Sequence, residues 1–182
     1  MGCKLLDKKA TVKTIQEALK ALNKKHLALI IHGSSFPSLH DEDTGFGTVN
    51  STAGKKIIDF ASGIFNAIQL GPAGKTKGCD SSPYTGTIFS TNPLFIDLKQ
   101  LTTKEWENIL SEETYEEIVE NNPNRDKGKT AYSYIFKDQQ IALKEAFENF
   151  NKAGLKKLKK EFGKYKRENS SWLEKDALYE AL

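Results

Sequence analysis

Two short, largely apolar runs about forty residues apart limit the fold of this chain more than any other feature. Leu27 to Ile31 ends at the polar His32-Gly33-Ser34-Ser35, and Ala67 to Leu70 ends at Gly71-Pro72-Ala73-Gly74. A short continuous apolar run bounded by such loops is typical of a strand covered on both faces, as in parallel sheets. Apolar spacing over residues 57–64 predicts a helix between the two strands. The order strand, helix, strand predicts a right-handed βαβ unit with parallel strands.

Helical patterns dominate the rest of the chain. Before the first strand, a capping-box pattern at Thr14-x-x-Glu17 and apolar residues at helical spacing predict a helix over about residues 12–24. After the second strand, residues 75–97 are rich in Gly, Ser, Thr and Pro and are predicted to form a loop. An acidic helix is predicted over residues 103–121, followed by a turn at 122–129.

The C-terminal part of the chain continues this helical pattern. Apolar residues keep approximate helical spacing from Ile141 to Tyr165, and a last amphipathic helix is predicted from Trp172 to Leu182. We therefore divide the chain into a helical N-terminal extension (1–25), the βαβ unit with its following loop (26–98), and a largely helical part (99–182).

Charge and composition exclude several classes of function. The 27 Lys and Arg residues against 24 Asp and Glu residues leave a net charge of +3, too small to indicate nucleic acid or an anionic membrane unless the charges cluster. No run approaches the ~18 apolar residues of a membrane-spanning helix, and the N-terminus lacks an apolar signal region, so a cytoplasmic location is predicted. Cys3 and Cys79 are far apart in the sequence and are predicted to be free thiols.

One cluster of cations requires separate consideration. Eight Lys and Arg residues lie between Lys152 and Arg167, interleaved at helical spacing with apolar residues that include Leu158 and Phe162. This pattern favours the solvated face of a helix that packs by its apolar side. A phosphate-binding patch, or a surface for an acidic partner, remains the alternative interpretation.

Several kinds of catalytic site find no support in the sequence. His26, His32 and His40 do not have zinc-ligand spacing, so no metal site is predicted. The glycine-containing segments match neither phosphate-binding pattern, and the serines lack a Gly-x-Ser-x-Gly context, so no nucleotide cofactor and no serine nucleophile is predicted.

The segment from Cys79 to Leu98 is the strongest candidate for a site. It follows the second strand, at the edge where parallel α/β folds place their sites. Tyr84 has hydroxyl and carboxyl side chains around it, and such a set suits sugars because the ring stacks on a pyranose face while short polar groups bind its hydroxyls. On composition alone, a structural loop is an equal alternative.

Five motifs, in order and nearly in spacing, resemble the N-terminal part of the 4-α-glucanotransferases (amylomaltases, disproportionating enzymes; glycoside hydrolase family 77). The motifs are Ile31-His32-Gly33-Ser34-Ser35-Phe36-Pro37, Gly45-Phe46-Gly47, Gln69-Leu70-Gly71-Pro72-Ala73-Gly74, Asp80-Ser81-Ser82-Pro83-Tyr84 and Asn92-Pro93-Leu94-Phe95-Ile96-Asp97-Leu98. The resemblance resumes at Ala131-Tyr132, at Ala146 to Phe150 and at Ser171 to Leu178, and it covers about residues 28–182.

The resemblance implies a fold and a reaction. It implies the N-terminal part of a (β/α)8 TIM-type barrel, namely the opening βαβ unit followed by a largely helical insertion. It also implies transfer of α-1,4-glucan segments between maltodextrins, with no cofactor. In this family the catalytic carboxylates lie on later strands, beyond the point that matches Leu182. The 182 residues alone are therefore expected to be inactive, and the remainder of the enzyme is an expected partner.

The resemblance also implies roles for particular residues. Ser82 and Tyr84 are expected to line the donor-sugar side of the cleft, and Tyr84 to face the reacting glucose. His32 and Asp80 are expected nearby, and Tyr132 in a more remote glucan contact. Two alternatives stay open: an α-glucan-binding remnant that does not catalyse transfer, and an interaction protein. The expected ligand is a maltodextrin or another α-1,4-glucan, with neither nucleic acid nor a membrane as partner.

Overall fold

The computed structural model describes residues 7–76, 80–85, 90–152 and 154–181. The predicted free thiols, Cys3 and Cys79, lie outside these ranges. The elements follow the order α1 (Lys8–Ala21), β1 (Ala28–Ile30), α2 (Thr52–Ala61), β2 (Ala67–Gln69), α3 (Leu98–Leu101), α4 (Glu112–Glu120), α5 (Tyr132–Asn151), α6 (Lys156–Glu168) and α7 (Ser170–Ala181), with short 3-10 turns between them. Among the helices of these ranges, none combines the length and the apolar character that crossing a membrane requires.

The predicted parallel βαβ unit is confirmed. β1 and β2 pair in parallel with Leu29 opposite Ile68, and α2 connects them. The helix begins earlier than the predicted residues 57–64 because side chains bind its first amide groups. Ser51 Oγ accepts a hydrogen bond from Gly54 N at 3.0 Å, and the Glu42 carboxylate accepts from the amides of residues 52 and 53.

The prediction that both strands are covered on both faces is wrong for the described chain. Ile30 is 74% exposed, and both strands alternate exposed and half-buried residues. The reason is the position of the core, which lies among the helices rather than under the sheet. Its members include the fully buried Leu110, Tyr115 and Ile135, together with apolar residues of α3, α4 and α5.

The N-terminal helix differs from its prediction. α1 spans Lys8–Ala21 rather than 12–24, because Asp7 caps it by accepting a hydrogen bond from Lys9 N at 3.0 Å. The prediction of a capping box at Thr14 is wrong. The Thr14 hydroxyl lies inside the helix and donates to the carbonyl of Ala10.

The prediction of a single acidic helix over residues 103–121 is also wrong. Glu107 and Asn108 both have positive φ values, 54° and 50°, and a right-handed helix cannot continue through them. α4 therefore begins as a separate helix at Glu112. Ser111 caps it, because Ser111 Oγ accepts a hydrogen bond from Thr114 N at 3.2 Å. The predicted turn at 122–129 is present, and the long helical stretch after it divides into α5 and α6.

The basic helix has the solvated face that its sequence predicts. All Lys and Arg side chains of α6 are exposed, whereas Leu158 is buried in the core. Phe162 packs edge-on against Phe150 of α5, with ring centroids 5.4 Å apart, and Lys166 lies over the Phe162 ring. The helix is thus attached by its apolar side, as expected of an amphipathic surface helix.

α7 begins at Ser170, two residues before its predicted start, and it contacts the segments that follow β2. Its Asp176 and Glu180 accept from Ser90 and Lys75, respectively. Lys75 N also donates to the carbonyl of Ser90 at 2.8 Å, beside an antiparallel bridge between Gly74 and Thr91. These contacts hold residues 74–75, at the start of the predicted loop, beside residues 90–91 in its later part.

Candidate functional site

A cleft of about 300 Å³ lies where the chain leaves the carboxyl ends of the two strands. Parallel α/β folds bind their ligands at this edge of the sheet. The residues that line the cleft are His32, Ser34, Phe46, Pro72, Gly74, Thr76, Ser81, Asn92, Phe95, Thr130 and Tyr132. None of these described residues carries a carboxyl group, so the cleft offers hydroxyl, amide, imidazole and aromatic groups.

His32, the first residue after Ile31, is held in place by its own turn. Its Nδ1 lies 2.6 Å from Ser34 Oγ and accepts from Ser34 N at 3.2 Å. Because Nδ1 accepts from this amide, the proton of the neutral ring is assigned to Nε2. Nε2 is buried and has no hydrogen-bond partner among the described residues. His32 is therefore a fixed polar group in the lining of the cleft.

Tyr132 crosses from the first turn of α5 to the segment after β2. Its hydroxyl donates to the carbonyl of Asp80 at 2.9 Å and lies 2.9 Å from Thr76 Oγ1. Since the hydroxyl proton points to Asp80, the Thr76 hydroxyl is the donor of the second bond. The Tyr132 ring contacts Phe46, with centroids 6.5 Å apart. The hydroxyl of Tyr132 thus already has two protein partners.

The turn from Asp80 to Thr85 carries the remaining predicted site residues. Asp80 Oδ1 accepts from Ser82 N at 2.9 Å, and Asp80 Oδ2 accepts from Thr85 Oγ1 at 2.9 Å. These two hydrogen bonds lower the pKa of the Asp80 carboxyl below its ordinary value, and the bond from the Ser82 amide has the larger effect. Ser82 is half-buried, whereas Tyr84 is 83% exposed. The carboxylate therefore holds the turn, and the turn presents Tyr84 to solvent.

The five predicted site residues form two connected groups. His32 and Tyr132 line the cleft, whereas Asp80, Ser82 and Tyr84 lie on the turn beside it. The hydrogen bond from Tyr132 to Asp80 joins the two groups.

Sequence reasoning missed several residues of the cleft lining, among them Thr76, Ser81, Asn92 and Thr130. Ser81 and Asn92 lie in two of the motifs quoted above, and this was the available signal. No comparable signal marks Thr130. In the described ranges, no group of three or more His, Cys, Asp or Glu side chains is arranged to hold a metal ion.

Comparison with known proteins gives a consistent result. The family model described as 4-alpha-glucanotransferase, glycoside hydrolase family 77, matches residues 32–182. A 4-alpha-glucanotransferase of Clostridium butyricum is 31% identical over 153 residues, which cover 84% of this chain and 28% of that protein. A 4-alpha-glucanotransferase of Thermus thermophilus is 28% identical over 159 residues, 85% of this chain and 28% of that protein. The chain thus spans 28% of the length of these relatives. No solved structure matches.

Proposed function

Because this chain belongs to the 4-alpha-glucanotransferase family, glycoside hydrolase family 77, we propose that it forms one wall of the substrate cleft of such an enzyme. The enzyme transfers α-1,4-glucan segments between maltodextrins by a retaining double displacement. One observation carries the proposal: the cleft opens at the carboxyl ends of β1 and β2, with the Asp80 turn fixed at its edge. A cytoplasmic location belongs to the same proposal.

Each site residue has a role that its position supports. Tyr84, exposed at the edge of the cleft, offers its ring to the apolar face of a glucose unit. Ser82 and the ionised carboxylate of Asp80 bind glucose hydroxyls from the same turn. His32 orients the polar lining of the cleft, and Tyr132 holds the turn rather than the sugar.

The chemical step needs groups from outside these 182 residues. Retaining transfer uses two carboxyl groups about 5–5.5 Å apart, one as the nucleophile and one as the acid and base. No described residue that lines the cleft is Asp or Glu. We therefore assign this wall to binding and orientation of the glucan, and we assign the two carboxylates to the remaining part of the enzyme.

The same proposal includes the barrel. β1, α2 and β2 have the order and the parallel pairing of an opening βα-barrel unit. The exposed apolar side chain of Ile30 supports further covering elements, because parallel sheets are normally buried on both faces. α3 to α7 then form the helical insertion and the barrel helix that follows it.

The test is a titration of the 15N-labelled chain with maltoheptaose. The amides of Ser82 and Thr85 are expected to shift, because they belong to the turn that presents Tyr84. Tyr84→Ala should weaken binding about tenfold through loss of the stacking surface. Tyr179→Ala is the matched control, because Tyr179 is also a largely exposed tyrosine, at 66% against 83% for Tyr84, and it lies on α7 outside the cleft.

Two results would overturn the proposal. A glucan that leaves the Ser82 and Thr85 amides unshifted does not bind at this wall. Release of glucose and longer oligomers from maltotriose by the chain alone would contradict the assignment of the carboxylates to other residues.

The second candidate, a glucan-binding protein without transfer activity, is favoured by the lack of carboxyl groups among the described residues that line the cleft. The two candidates differ in affinity. A single wall covers a sugar on one side and is expected to bind weakly, whereas a self-sufficient binding protein surrounds most of its ligand. Micromolar affinity of the chain alone would therefore favour the second candidate.

A further inference from the structure

The outward face of α6 is strongly basic. Within Lys156–Glu168, seven Lys and Arg residues stand against two Glu residues, which gives the helix a net charge of +5. Leu158 attaches the helix to the core, and cations at helical spacing lie on the other side. These are Lys156, Lys160, Lys164 and Arg167, whose side chains are all exposed and which we call the basic stripe.

The outward face of α4 carries the opposite charge. Its nine residues include five Glu and neither Lys nor Arg, which gives a net charge of −5. Tyr115, Ile118 and Val119 are buried, whereas four glutamates on the other side of the helix are exposed. They lie at i, i+3, i+4 and i+7, a spacing that places them on one face. These are Glu113, Glu116, Glu117 and Glu120, which we call the acidic stripe.

Neither stripe is neutralised by the rest of the described chain. Of the stripe residues, only Lys164 has an ion-pair partner there, namely Glu168 of the same helix, with Nζ and Oε1 3.7 Å apart. Both helices attach to α5 by their other sides, through the Ile118 carbonyl of α4 and the Phe162 ring of α6. One molecule therefore presents two oppositely charged faces to solvent. We infer that the basic stripe of one copy of this chain binds the acidic stripe of a second copy.

Charge and dimensions favour a second copy as the partner. The net charges of the two helices are equal and opposite. At a rise of about 1.5 Å per residue, the acidic stripe is about 10 Å long and the basic stripe about 16 Å, so all four glutamates fit along the cations. Opposite charges in a matching arrangement steer two surfaces together and fix their register. Every copy supplies both stripes, so the partner is present wherever the protein is.

A nucleic acid fits the basic stripe less well. Proteins that bind single strands combine cations with exposed aromatic rings on which bases stack, and phosphate recognition favours the planar Arg side chain. The basic stripe contains three Lys and one Arg, whereas the aromatic residues of α6, Phe162 and Tyr165, share the side of Leu158 by their spacing. Point charges of this kind suit carboxylates that need no fixed geometry.

The contact is expected to be weak and sensitive to salt, because exposed ion pairs contribute little each and are screened by ions. Sedimentation velocity measures the association of the wild-type chain at about 10 mM and about 1 M NaCl, where the Debye length is about 30 Å and about 3 Å, respectively. We expect association at low salt that is at least about tenfold weaker at high salt. Association that high salt leaves unchanged or strengthens would contradict the inference, since it would indicate an apolar contact.

Two paired substitutions identify the faces that meet. Lys156→Glu/Lys160→Glu brings the charge of the basic stripe to zero, and Glu116→Lys/Glu120→Lys does the same for the acidic stripe. Each variant alone should lose the association, because it lacks one of the two charged faces. An equimolar mixture should restore it, because one variant keeps the acidic stripe and the other keeps the basic stripe. All four positions are exposed, which keeps the cost in stability small.

The matched control is Lys9→Glu/Lys20→Glu on α1, which changes the net charge as the α6 variant does, at exposed positions outside both stripes. It should associate like the wild type. A wild-type chain that is monomeric at low salt, a stripe variant that associates like the wild type, or a mixture that stays monomeric would overturn the inference. A monomeric wild-type chain that binds an RNA oligonucleotide, with binding lost in the α6 variant, would assign the basic stripe to a polyanion instead.

Discussion

The substitution Tyr132→Phe tests the connection between the helical core and the turn that carries Tyr84. It removes one hydroxyl and with it two hydrogen bonds, to the carbonyl of Asp80 and from the hydroxyl of Thr76. The ring itself, and its contact with Phe46, is retained. The change is therefore a test of the hydroxyl alone.

The magnitude follows from the surroundings of the two partners. Thr76 is 8% exposed, so water reaches its hydroxyl poorly when Tyr132 loses its oxygen, and the loss of this bond costs about 1–3 kcal/mol. Asp80 is exposed, and water can replace the lost donor at its carbonyl, so this bond contributes less. We expect the free energy of unfolding to fall by about 2 kcal/mol, which lowers Tm by about 4–8 °C in a chain of this size.

Chemical denaturation gives the stability, and NMR gives the location of the effect. The Ser82 and Thr85 amide signals should move, because the Asp80 backbone that anchors their turn has lost its contact with α5. Tyr134→Phe is the matched control. It removes a hydroxyl on the same helix that donates to the carbonyl of Ile118 at 2.7 Å, away from the cleft.

A second variant separates the hydrogen bond from general disruption. Adding Thr76→Val to Tyr132→Phe removes the stranded hydroxyl and should recover about 1 kcal/mol, because replacing both partners costs less than removing one. No recovery in the double variant, together with unmoved Ser82 and Thr85 signals in Tyr132→Phe, would refute the role assigned to Tyr132.

Three further predictions concern the turns around the site. Gly47→Ala should lower the free energy of unfolding by about 3 kcal/mol or more, since its Cβ would lie 1.7 Å from the backbone carbonyl oxygen of Phe36. Gly63→Ala, at φ +84° in open space, should lower it by about 1 kcal/mol. Equal losses for the two variants in chemical denaturation would contradict this. Glu42→Gln should lower the free energy of unfolding by about 1–2 kcal/mol, because the carboxylate accepts from three backbone amides, and unchanged denaturation would contradict this. The pKa of Asp80 is lowered, so the stabilisation of the turn by its carboxylate is complete above the ordinary aspartate pKa and is lost as pH falls through the folded pKa. NMR titration of the Asp80 carboxyl measures this pKa, and Thr85→Val should raise it. A pKa at the ordinary value, or one that Thr85→Val does not raise, would contradict the assignment.

The βαβ unit could be predicted because its signals are local. Apolar runs that end at His32 and Gly71 mark the strand ends within one or two residues. The start of α2 was predicted less accurately, because one of the groups that cap it is Glu42, ten residues before Thr52. A capping group that reaches the helix through a folded loop leaves no local pattern.

The interruption of the acidic helix has a similar cause. Glu107 adopts a positive φ, and its carboxylate accepts a hydrogen bond from Leu158 N of α6 at 3.2 Å. This contact joins residues 51 positions apart in the sequence. Local propensity favours helix at this point, and the tertiary contact favours the break. For the site, the family resemblance indicated His32, Asp80 and Tyr132, but the hydrogen bond between Asp80 and Tyr132 joins residues 52 positions apart and appears only in the folded chain.

The position of the core explains how the cleft is held firmly. Tyr132 is the first residue of α5, and the same helix buries Ile135, Ala142 and Ala146 in the core. Gln139 of this helix also donates to the carbonyl of Pro93, next to the cleft residue Asn92. The cleft is therefore attached to a helix that packs into the core, as well as to the segments that follow the exposed two-stranded sheet. Rigid attachment of this kind supports the proposed role of the cleft in orienting a glucan, because small displacements of positioning groups cost much of the rate in a transfer reaction.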